Sequence, residues 1–397
     1  MGLNDTPSGE RLHIGFFGLR NAGKSSLVNA VTGQTVSVVS EVKGTTTDPV
    51  KKAMELLPLG PVLLIDTPGL DDAGALGEQR VQRAKEILRQ TDCAVLVVDA
   101  ARGLTDDDTA LLSLLQERTV PYLIAYNKAD LLPAVPQSGA NNCYVSAATG
   151  AGIPEFKEKL SQLVPQRQQR RLVADLLSPG DTVVLVTPID ASAPKGRLIL
   201  PQQQVMRDIL DAHCTFAVCQ PEELPATLSM LRKPPKLVIT DSQAFARVSK
   251  DTPPEILLTS FSILFARYKG SLPLLLRGAE RLGALKDGDR VLISEGCTHH
   301  RQCGDIGTVK LPAWIRAHCG ASPTFQFTSG GSFPDDLSGF ALVVHCGGCM
   351  LNENEMRHRM QTAKKAGVPM VNYGLAIAEM HGILKRSVQA LEKGEQV

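Results

Sequence analysis

Residues 18–25 read "GLRNAGKS", which matches the phosphate-binding pattern G-x-x-x-x-G-K-[S/T]. The apolar run "HIGFF" comes before this stretch, and the helical pattern "SSLVNAVTG" begins at Ser25. In a turn between a strand and a helix, glycines let backbone N–H groups face phosphate oxygens, and the helix N-terminus adds partial positive charge. The stretch therefore predicts a P-loop in which Lys24 neutralises the outer phosphates and Ser25 holds Mg2+.

Two further motifs complete the predicted phosphate end of the site. "DTPG" follows the apolar run "VLLI", where Asp66 can hold the Mg2+ shell and Gly69 can donate its N–H to a γ-phosphate. "GTTTD" lies between the P-loop and "DTPG", where a switch threonine, Thr46, is expected. The predicted catalytic residues are Lys24, Thr46, Asp66 and Gly69, and Ser25 and Thr46 are the predicted Mg2+ ligands.

The base of the nucleotide is predicted to be guanine. "NKAD" ends the apolar run "YLIAY", so that Asp130 can accept both N–H groups of a guanine edge while Asn127 pins the loop. "SAATG" follows the next strand, where the backbone of Ser146 and Ala147 would face the guanine carbonyl. The predicted nucleotide contacts are Gly18, Asn21, Ala22, Gly23, Lys24, Ser25, Ser26, Asp66, Gly69, Asn127, Lys128, Asp130, Ser146 and Ala147.

The first region is predicted to be an α/β domain. Its apolar runs alternate with amphipathic segments, which predicts crossovers and a mostly parallel sheet with helices on both faces. The predicted strands are His13–Phe17, Val62–Ile65, Ala94–Val98, Tyr122–Tyr126 and Cys143–Val145.

A chain of 397 residues is too long for one ordinary core. The predicted domains are a GTPase domain over residues 1–167, a small α/β domain over 178–265, and a further α/β domain over 268–397. Residues 168–181 are charged and end in a turn, so they predict a helical linker or a domain boundary.

Composition excludes several classes of function. Lys and Arg number 42 against 41 Asp and Glu, and aromatic residues make up 4%. Neither the charge nor the stacking surface expected of a nucleic-acid binder is present. No apolar run reaches membrane-spanning length, and no targeting pattern is found, so no membrane partner and a cytoplasmic location are expected.

Four of the nine cysteines fall in two clusters that also contain histidines. "GCTHHRQC" contains Cys297, His299, His300 and Cys303, and "HCGGC" contains His345, Cys346 and Cys349. Each cluster follows a predicted buried strand, so parallel pairing would bring both clusters to one edge of a sheet. Zinc and an iron–sulfur cluster both remain possible from spacing alone.

The GTPase motifs resemble those of the potassium-activated branch of the translation-factor-related GTPases. Leu70 follows "DTPG" where other GTPases carry a water-orienting glutamine. Asn21 lies where that branch uses an asparagine to bind K+, although its amide can instead stabilise the loop. The resemblance implies slow, K+-stimulated hydrolysis.

The whole chain resembles the FeFe-hydrogenase maturation GTPases, the HydF family. The similarity lies in a GTPase region followed by C-x-H and, about 45 residues later, H-C-x-x-C. It implies a homodimer through the middle domain and a 4Fe-4S cluster in the last domain. The motif maps onto Cys297, His299, His345, Cys346 and Cys349, with the three cysteines as ligands. The fourth ligand stays open among His299, His300, Cys303, His345 and an outside molecule.

That resemblance also implies a scaffold or carrier. Such a protein receives a di-iron precursor from two radical SAM maturases and delivers it to the apo-enzyme of an FeFe hydrogenase. The alternatives are a tRNA-modifying GTPase and a ribosome-assembly GTPase with a structural zinc site. The first would need folate-type and helical domains around the GTPase, and the second usually carries a basic RNA-binding domain.

Overall fold

The computed structural model describes residues 8–33, 50–67, 85–164, 170–189, 198–296 and 305–392. The chain divides into two compact units, residues 1–167 and 168–397. Several residues named above lie outside the described ones: Thr46, Gly69, Leu70, Cys297, His299, His300 and Cys303. Within the described ranges, no helix combines the length and the hydropathy needed to cross a membrane.

The first unit contains a six-stranded sheet in the order β2-β3-β1-β4-β5-β6. Its strands are β1 (Leu12–Phe17), β2 (Val50–Leu56), β3 (Gly60–Asp66), β4 (Cys93–Asp99), β5 (Tyr122–Asn127) and β6 (Asn142–Tyr144). All pairs are parallel except β2 with β3. Strands β2 and β3 lie on one side of β1, and β4, β5 and β6 lie on the other side. Strand β1 is therefore at a topological switch point, where α/β sheets bind ligands.

Strand β2 was not among the predicted strands. Its segment, "VKKAMEL", carries charged residues on both faces, and only Leu56 is buried. It pairs antiparallel with β3 from Val50 opposite Asp66 to Leu56 opposite Gly60. An edge strand has one neighbour and an open face, so its apolar signal is weaker than that of a central strand.

Helices cover the sheet of the first unit and bury two apolar clusters against it. The helices with described bounds are α1 (Lys24–Thr32), α2 (Asp106–Glu117) and α3 (Ile153–Leu163). Helix α2 begins with a capping box, in which Thr105 Oγ accepts from the Asp108 N–H and Asp108 Oδ2 accepts from the Thr105 N–H.

The second unit contains two parallel sheets of four strands each. The first has the order β10-β9-β7-β8, with β7 (Thr182–Val186), β8 (Thr215–Cys219), β9 (Leu237–Thr240) and β10 (Leu257–Ser260). The second has the order β12-β11-β13-β14, with β11 (Arg290–Glu295), β12 (Thr324–Ser329), β13 (Leu342–His345) and β14 (Met370–Asn372).

The helices of the second unit follow its strands in chain order. They are α4 (Leu200–Asp211), α5 (Leu224–Met230), α6 (Phe245–Asp251), α7 (Phe261–Lys269), α8 (Leu272–Glu280), α9 (Leu311–Cys319), α10 (Glu353–Lys365), α11 (Tyr373–Met380) and α12 (Leu384–Glu392). A π turn, Ile306–Lys310, leads into α9.

One hydrophobic core is shared by the two sheets of the second unit. Arg386 of α12 donates to the carbonyls of Ser249, Thr252 and Pro253, which precede β10, so the last helix also ties the sheets together. The predicted boundary at residues 265–268 falls inside α7. The division into three domains stays a prediction.

Of the two alternatives predicted for residues 168–181, the helical linker is wrong for its described part, whereas the boundary between the two compact units does fall at this segment, between residues 167 and 168. Between residues 170 and 181, the structure has only a short 3-10 turn, Ala174–Leu176. The Asp208 carboxylate accepts from the N–H groups of Val173 and Ala174, both at 2.8 Å. Because Val173 is also buried in the core, tertiary contacts override the helical propensity of this charged segment.

Candidate functional site

The predicted P-loop lies at the end of β1 and runs into α1. The Lys24 ammonium is buried inside the loop and donates to the carbonyls of Gly18 at 2.9 Å and Leu19 at 2.8 Å. Gly18 and Gly23 have φ angles of 138° and 86°, and Asn21 also has a positive φ of 61°. A β-carbon at Gly18 would overlap the Val97 carbonyl, so close approach of the backbone requires glycine there.

Asn127 joins the P-loop to the two predicted guanine loops. Its amide nitrogen donates to the carbonyls of Ala22 at 3.0 Å and Gly23 at 3.4 Å. Its amide oxygen accepts from the Ala147 N–H at 3.0 Å. One buried side chain therefore holds three loops together, which matches the pinning role predicted for it.

The other residues predicted to contact guanine lie in the loops that follow β5 and β6. Asp130 is exposed, in the short helix Ala129–Leu131 that follows β5. Lys128 has a φ of 63° and forms a 2.7 Å ion pair with Asp99. The buried Ser146 hydroxyl accepts from the Thr149 N–H at 3.1 Å and so shapes the loop after β6.

Two of the predicted Mg2+ residues are in direct contact. Ser25 Oγ donates to Asp66 Oδ2 at 2.5 Å. Asp66 Oδ1 is buried and has no hydrogen-bond partner in the described part of the chain. Burial raises the pKa of Asp66, and the Ser25 hydroxyl and Lys24 charge oppose that rise. A carboxylate oxygen beside a hydroxyl fits the hard oxygen ligands that Mg2+ prefers.

Each cysteine cluster follows a buried strand along the chain, and these two strands are neighbours in one parallel sheet. Strand β11 pairs with β13 in parallel, with Ser294 opposite His345. After β11 the chain forms β12 on one side of β11, and it then forms β13 and β14 on the other side. The edge between β11 and β13 is therefore a topological switch point like that at the P-loop.

The Cys346 thiol lies against the end of β11. Its sulfur accepts from the Gly296 N–H at 3.0 Å and the Gly348 N–H at 3.4 Å. Gly296 directly precedes Cys297, which lies outside the described residues. Backbone N–H donors to sulfur are the contacts that stabilise cluster thiolates, so this environment fits an iron–sulfur group.

Both ring nitrogens of His345 are engaged inside the fold. Nε2 lies 3.0 Å from a guanidinium nitrogen of Arg359, and Nδ1 lies 2.7 Å from the Cys346 carbonyl. Because guanidinium only donates, Nε2 accepts and Nδ1 carries the proton. Burial, with Arg359 adding to it, lowers the pKa of His345 to about 3, so the ring stays neutral. To bind a metal, His345 would have to leave one of these partners.

Arg359 is fully buried and connects several elements of this edge. It donates to Glu355 Oε1 at 2.8 Å and to the Gly330 carbonyl at 2.5 Å, besides contacting His345. Its guanidinium also lies 5.0 Å from the centre of the Phe333 ring. This network holds the loop after β12 and the end of β13 in one arrangement.

Sequence patterns alone missed several buried residues at this edge. Arg359 and Lys269 lie in helices that carry further basic residues, and basic residues in a helix normally indicate its solvated face. Tyr373 donates to Glu295 Oε1 at 3.3 Å, and this buried pair lies beside the start of the first cysteine cluster. Burial raises the pKa of Tyr373, and the nearby Cys346 and Glu295 raise it further.

The described residues contain no group of three or more His, Cys, Asp or Glu side chains arranged for a metal ion. Two of the predicted cluster cysteines, Cys346 and Cys349, are described, and the third is not. The described part of the chain therefore gives one side of the predicted site.

Family models match three successive regions of the chain. Residues 13–128 match the 50S ribosome-binding GTPase family, residues 172–270 the hydrogen maturase F dimerization domain, and residues 273–390 the hydrogen maturase F tetramerization domain. The two hydrogen maturase F matches together cover more than half of the 397 residues.

Curated relatives include tRNA modification GTPases named MnmE. The protein from Synechococcus sp. (strain JA-3-3Ab) is 38% identical over 172 residues, which cover 41% of this chain and 36% of the relative. The protein from Legionella pneumophila (strain Corby) is 36% identical over 159 residues, covering 39% and 35%. The chain thus spans about a third of the length of these relatives.

Solved structures that match part of the chain include Era from Aquifex aeolicus bound to GDP.AlF4-, at 18% identity and a TM-score of 0.35 over 52% of this chain and 93% of that one. The G domain of the T. maritima FeoB iron transporter matches at 23% identity and a TM-score of 0.30, over 39% and 99% of the two chains.

Both regions after the GTPase domain match models of hydrogen maturase F domains, and they follow the GTPase domain in order along the chain. The protein therefore belongs to the hydrogen maturase F family, with a GTPase domain followed by the dimerization and tetramerization domains of that family.

Proposed function

We propose that this chain hydrolyses GTP and acts as a scaffold in the maturation of an FeFe hydrogenase. In this role it holds a 4Fe-4S cluster and delivers a di-iron precursor to the hydrogenase apo-enzyme. The observation that carries the proposal is the contact between the Gly296 N–H and the Cys346 sulfur, in a chain of the hydrogen maturase F family. That contact brings the chain leading to Cys297 against the C-x-x-C cysteines.

The nucleotide part of the proposal assigns roles to the P-loop and its neighbours. Lys24 binds the outer phosphates, and Ser25 and Asp66 hold Mg2+, for which the free oxygen of Asp66 is available. Thr46 and Gly69 complete the phosphate end, and Asp130 reads the guanine edge. A magnesium ion at this position supplies positive charge for the phosphates during hydrolysis.

The cluster part of the proposal assigns Cys297, Cys346 and Cys349 as ligands. A carrier must release its cargo, so one iron with an exchangeable ligand suits the function better than four thiolates. Since His345 is engaged by Arg359, His299, His300, Cys303 and an outside molecule remain the simpler choices for that position. The cluster, when bound, supplies an iron atom open to a bridging ligand.

The assembly part of the proposal is an oligomer that begins as a homodimer through residues 178–265. The names of the matching family domains support oligomer formation. Strand β8 is an edge strand, and Val218 on it is 44% exposed. Met230, at the end of α5, is 81% exposed. Two radical SAM maturases and the hydrogenase apo-enzyme are the proposed partners.

The alternatives of a tRNA-modifying or ribosome-assembly GTPase with a structural zinc site are not favoured. Residues 172–390, apart from a short gap, match hydrogen maturase F domains rather than the domains those functions require. Anaerobic purification followed by iron, sulfide and zinc analysis tests the choice directly. About four iron and four sulfide per chain support the proposal, and one zinc without sulfide overturns it.

Asp130→Asn is expected to change the nucleotide preference from GTP towards xanthosine triphosphate. An amide in place of the carboxylate donates to the xanthine carbonyl and no longer accepts two N–H groups of guanine. Loss of a charged, paired hydrogen bond should weaken GTP binding by about 100-fold. Competition binding of the two nucleotides measures the change, and Asp107→Asn, on the exposed first turn of α2, is the matched control. Equal affinity of the wild type for ATP and GTP would contradict the guanine assignment.

GTP hydrolysis is expected to be about tenfold faster or more in K+ than in Na+, because Leu70 cannot orient the attacking water and K+ supplies the positive charge that an arginine finger supplies in other GTPases. Asn21→Gly removes the amide yet tolerates the positive φ of this position, so the loop keeps its shape. Turnover of this variant should be the same in both salts. If the wild type shows no preference between the salts, Asn21 is not a cation ligand.

A further inference from the structure

Lys269, the last residue of α7, is buried beneath the loop that carries the C-x-x-C cysteines. Its ammonium donates to the carbonyls of Gly348 at 3.2 Å, Cys349 at 2.9 Å and Leu351 at 2.7 Å. An ammonium has three N–H donors, and here three carbonyls of one short loop accept from it. A charged group so deep in the protein is costly to bury unless its partners are well placed.

Helix α7 forms the base of this loop along one face. Ser262, Phe265 and Lys269 recur at the spacing that places residues on the same side of a helix. A β-carbon at Gly347 would lie 3.6 Å from Ser262 Oγ and 3.9 Å from Phe265 Cβ, so the loop passes directly over that face.

The same helix also reaches the end of the neighbouring strand. Ser262 Oγ accepts from the Asn372 amide at 3.1 Å and from the Gly374 N–H at 3.2 Å, at the end of β14. Helix α7 itself begins directly after β10, where Ser260 caps it. The cysteine loop therefore packs on a helix that continues directly from β10, a strand of the other sheet in this unit.

We propose that Lys269 is a positioning residue of the cluster site: it holds the loop from Cys346 to Leu351 in shape and places a fixed positive charge beside the Cys349 thiol. This inference rests on the proposed cluster-binding function. A buried positive charge stabilises the reduced, more negative form of a cluster held by these thiolates and so raises its reduction potential. Residues that orient metal ligands affect affinity without touching the metal.

The test compares three variants after anaerobic reconstitution with iron and sulfide. Lys269→Met keeps an apolar stem but removes the charge and its three hydrogen bonds. Lys269→Arg keeps the charge with a different donor geometry, and Lys250→Met, on the exposed last turn of α6, is the matched control. The measurements are the chelator concentration that removes half of the iron, the reduction potential from a titration followed by electron paramagnetic resonance, and GTP turnover as a check on folding.

Lys269→Met is expected to lose iron at about 10- to 100-fold lower chelator concentration than the wild type. Its potential should move to more negative values, whereas Lys250→Met should match the wild type in both measurements. Lys269→Arg should restore the potential and part of the iron retention. A potential in Lys269→Arg as negative as that of Lys269→Met overturns the role of the charge, and wild-type values for both measurements in Lys269→Met overturn the whole proposal.

Hydrogen exchange of the metal-free chain separates this inference from the proposed function. The Leu351 N–H donates to the Gly348 carbonyl at 3.0 Å, and that carbonyl also accepts from Lys269. The Leu351 amide should exchange faster in Lys269→Met than in Lys250→Met, and equal exchange overturns the anchoring role even when no iron binds. A wild type that holds neither iron nor sulfide overturns the proposed cluster function alone. If Lys269→Met does not fold, Lys269→Gln, which keeps N–H donors without the charge, takes its place.

Discussion

Cys346→Ala is expected to abolish the iron and sulfide bound after anaerobic reconstitution, while GTP hydrolysis continues at the wild-type rate. The Cys346 sulfur lies between the end of β11 and the glycines of its own loop, accepting an N–H from each side. Without it, the remaining proposed thiolates cannot surround a cubane, which needs thiolates on most of its irons. Iron and sulfide analysis together with the visible absorption spectrum measure the loss.

Two cysteine variants serve as comparisons for this result. Cys319→Ala changes a half-buried cysteine at the end of α9 in the same unit, and it should retain the full iron content. Cys303→Ala should also retain the cluster and its spectrum if the fourth position is exchangeable. Complete loss of the cluster in Cys303→Ala would indicate a closed site of four cysteines, and retention of iron in Cys346→Ala would remove this loop from the site.

Lys24→Ala is expected to lower GTP turnover by about 100-fold or more without loss of iron. The Lys24 ammonium lies inside the P-loop, on the carbonyls of Gly18 and Leu19, and it is the charge placed nearest to the expected outer phosphates. Loss of one preorganised donor to developing charge typically lowers turnover by this amount. Phosphate release under saturating GTP measures the effect.

Lys157→Ala, in α3 of the same unit, is the control for Lys24→Ala and should hydrolyse GTP at the wild-type rate. Iron content should be the same in both variants, because the GTPase domain and the cysteine loop lie in separate compact units. A Lys24→Ala protein that turns over GTP normally would place the nucleotide elsewhere in the chain. Joint loss of iron and hydrolysis would instead indicate that the two units do not fold independently.

Local sequence was enough to predict the P-loop and most of the strands around it. The P-loop depends on residues that are close in the chain, such as Gly18, Gly23 and Lys24. Glycine and lysine at this spacing, between a strand and a helix, are typical of a phosphate-binding loop. The apolar runs of β1, β3, β4 and β5 predicted buried parallel strands, because such strands are apolar on both faces. The same rule placed each cysteine cluster after a buried strand, but the parallel pairing of β11 with β13 was only a condition at that point, and the structure meets it.

Tertiary structure decided the features that depend on residues far apart in the chain. The segment around Val173 is not a helix, because the Asp208 carboxylate from α4 binds its N–H groups. Arg359 and Lys269 have the pattern of surface residues, yet packing buries them against His345 and against the carbonyls after Cys346. A buried charge is tolerated only where the fold supplies its partners. Arg359 has one partner in its own helix, Glu355, but its contacts with His345 and Gly330 come from other elements, as do the three carbonyls that accept from Lys269. Residue spacing along α10 fits the pair of Glu355 and Arg359, but it carries no information about the partners from other elements.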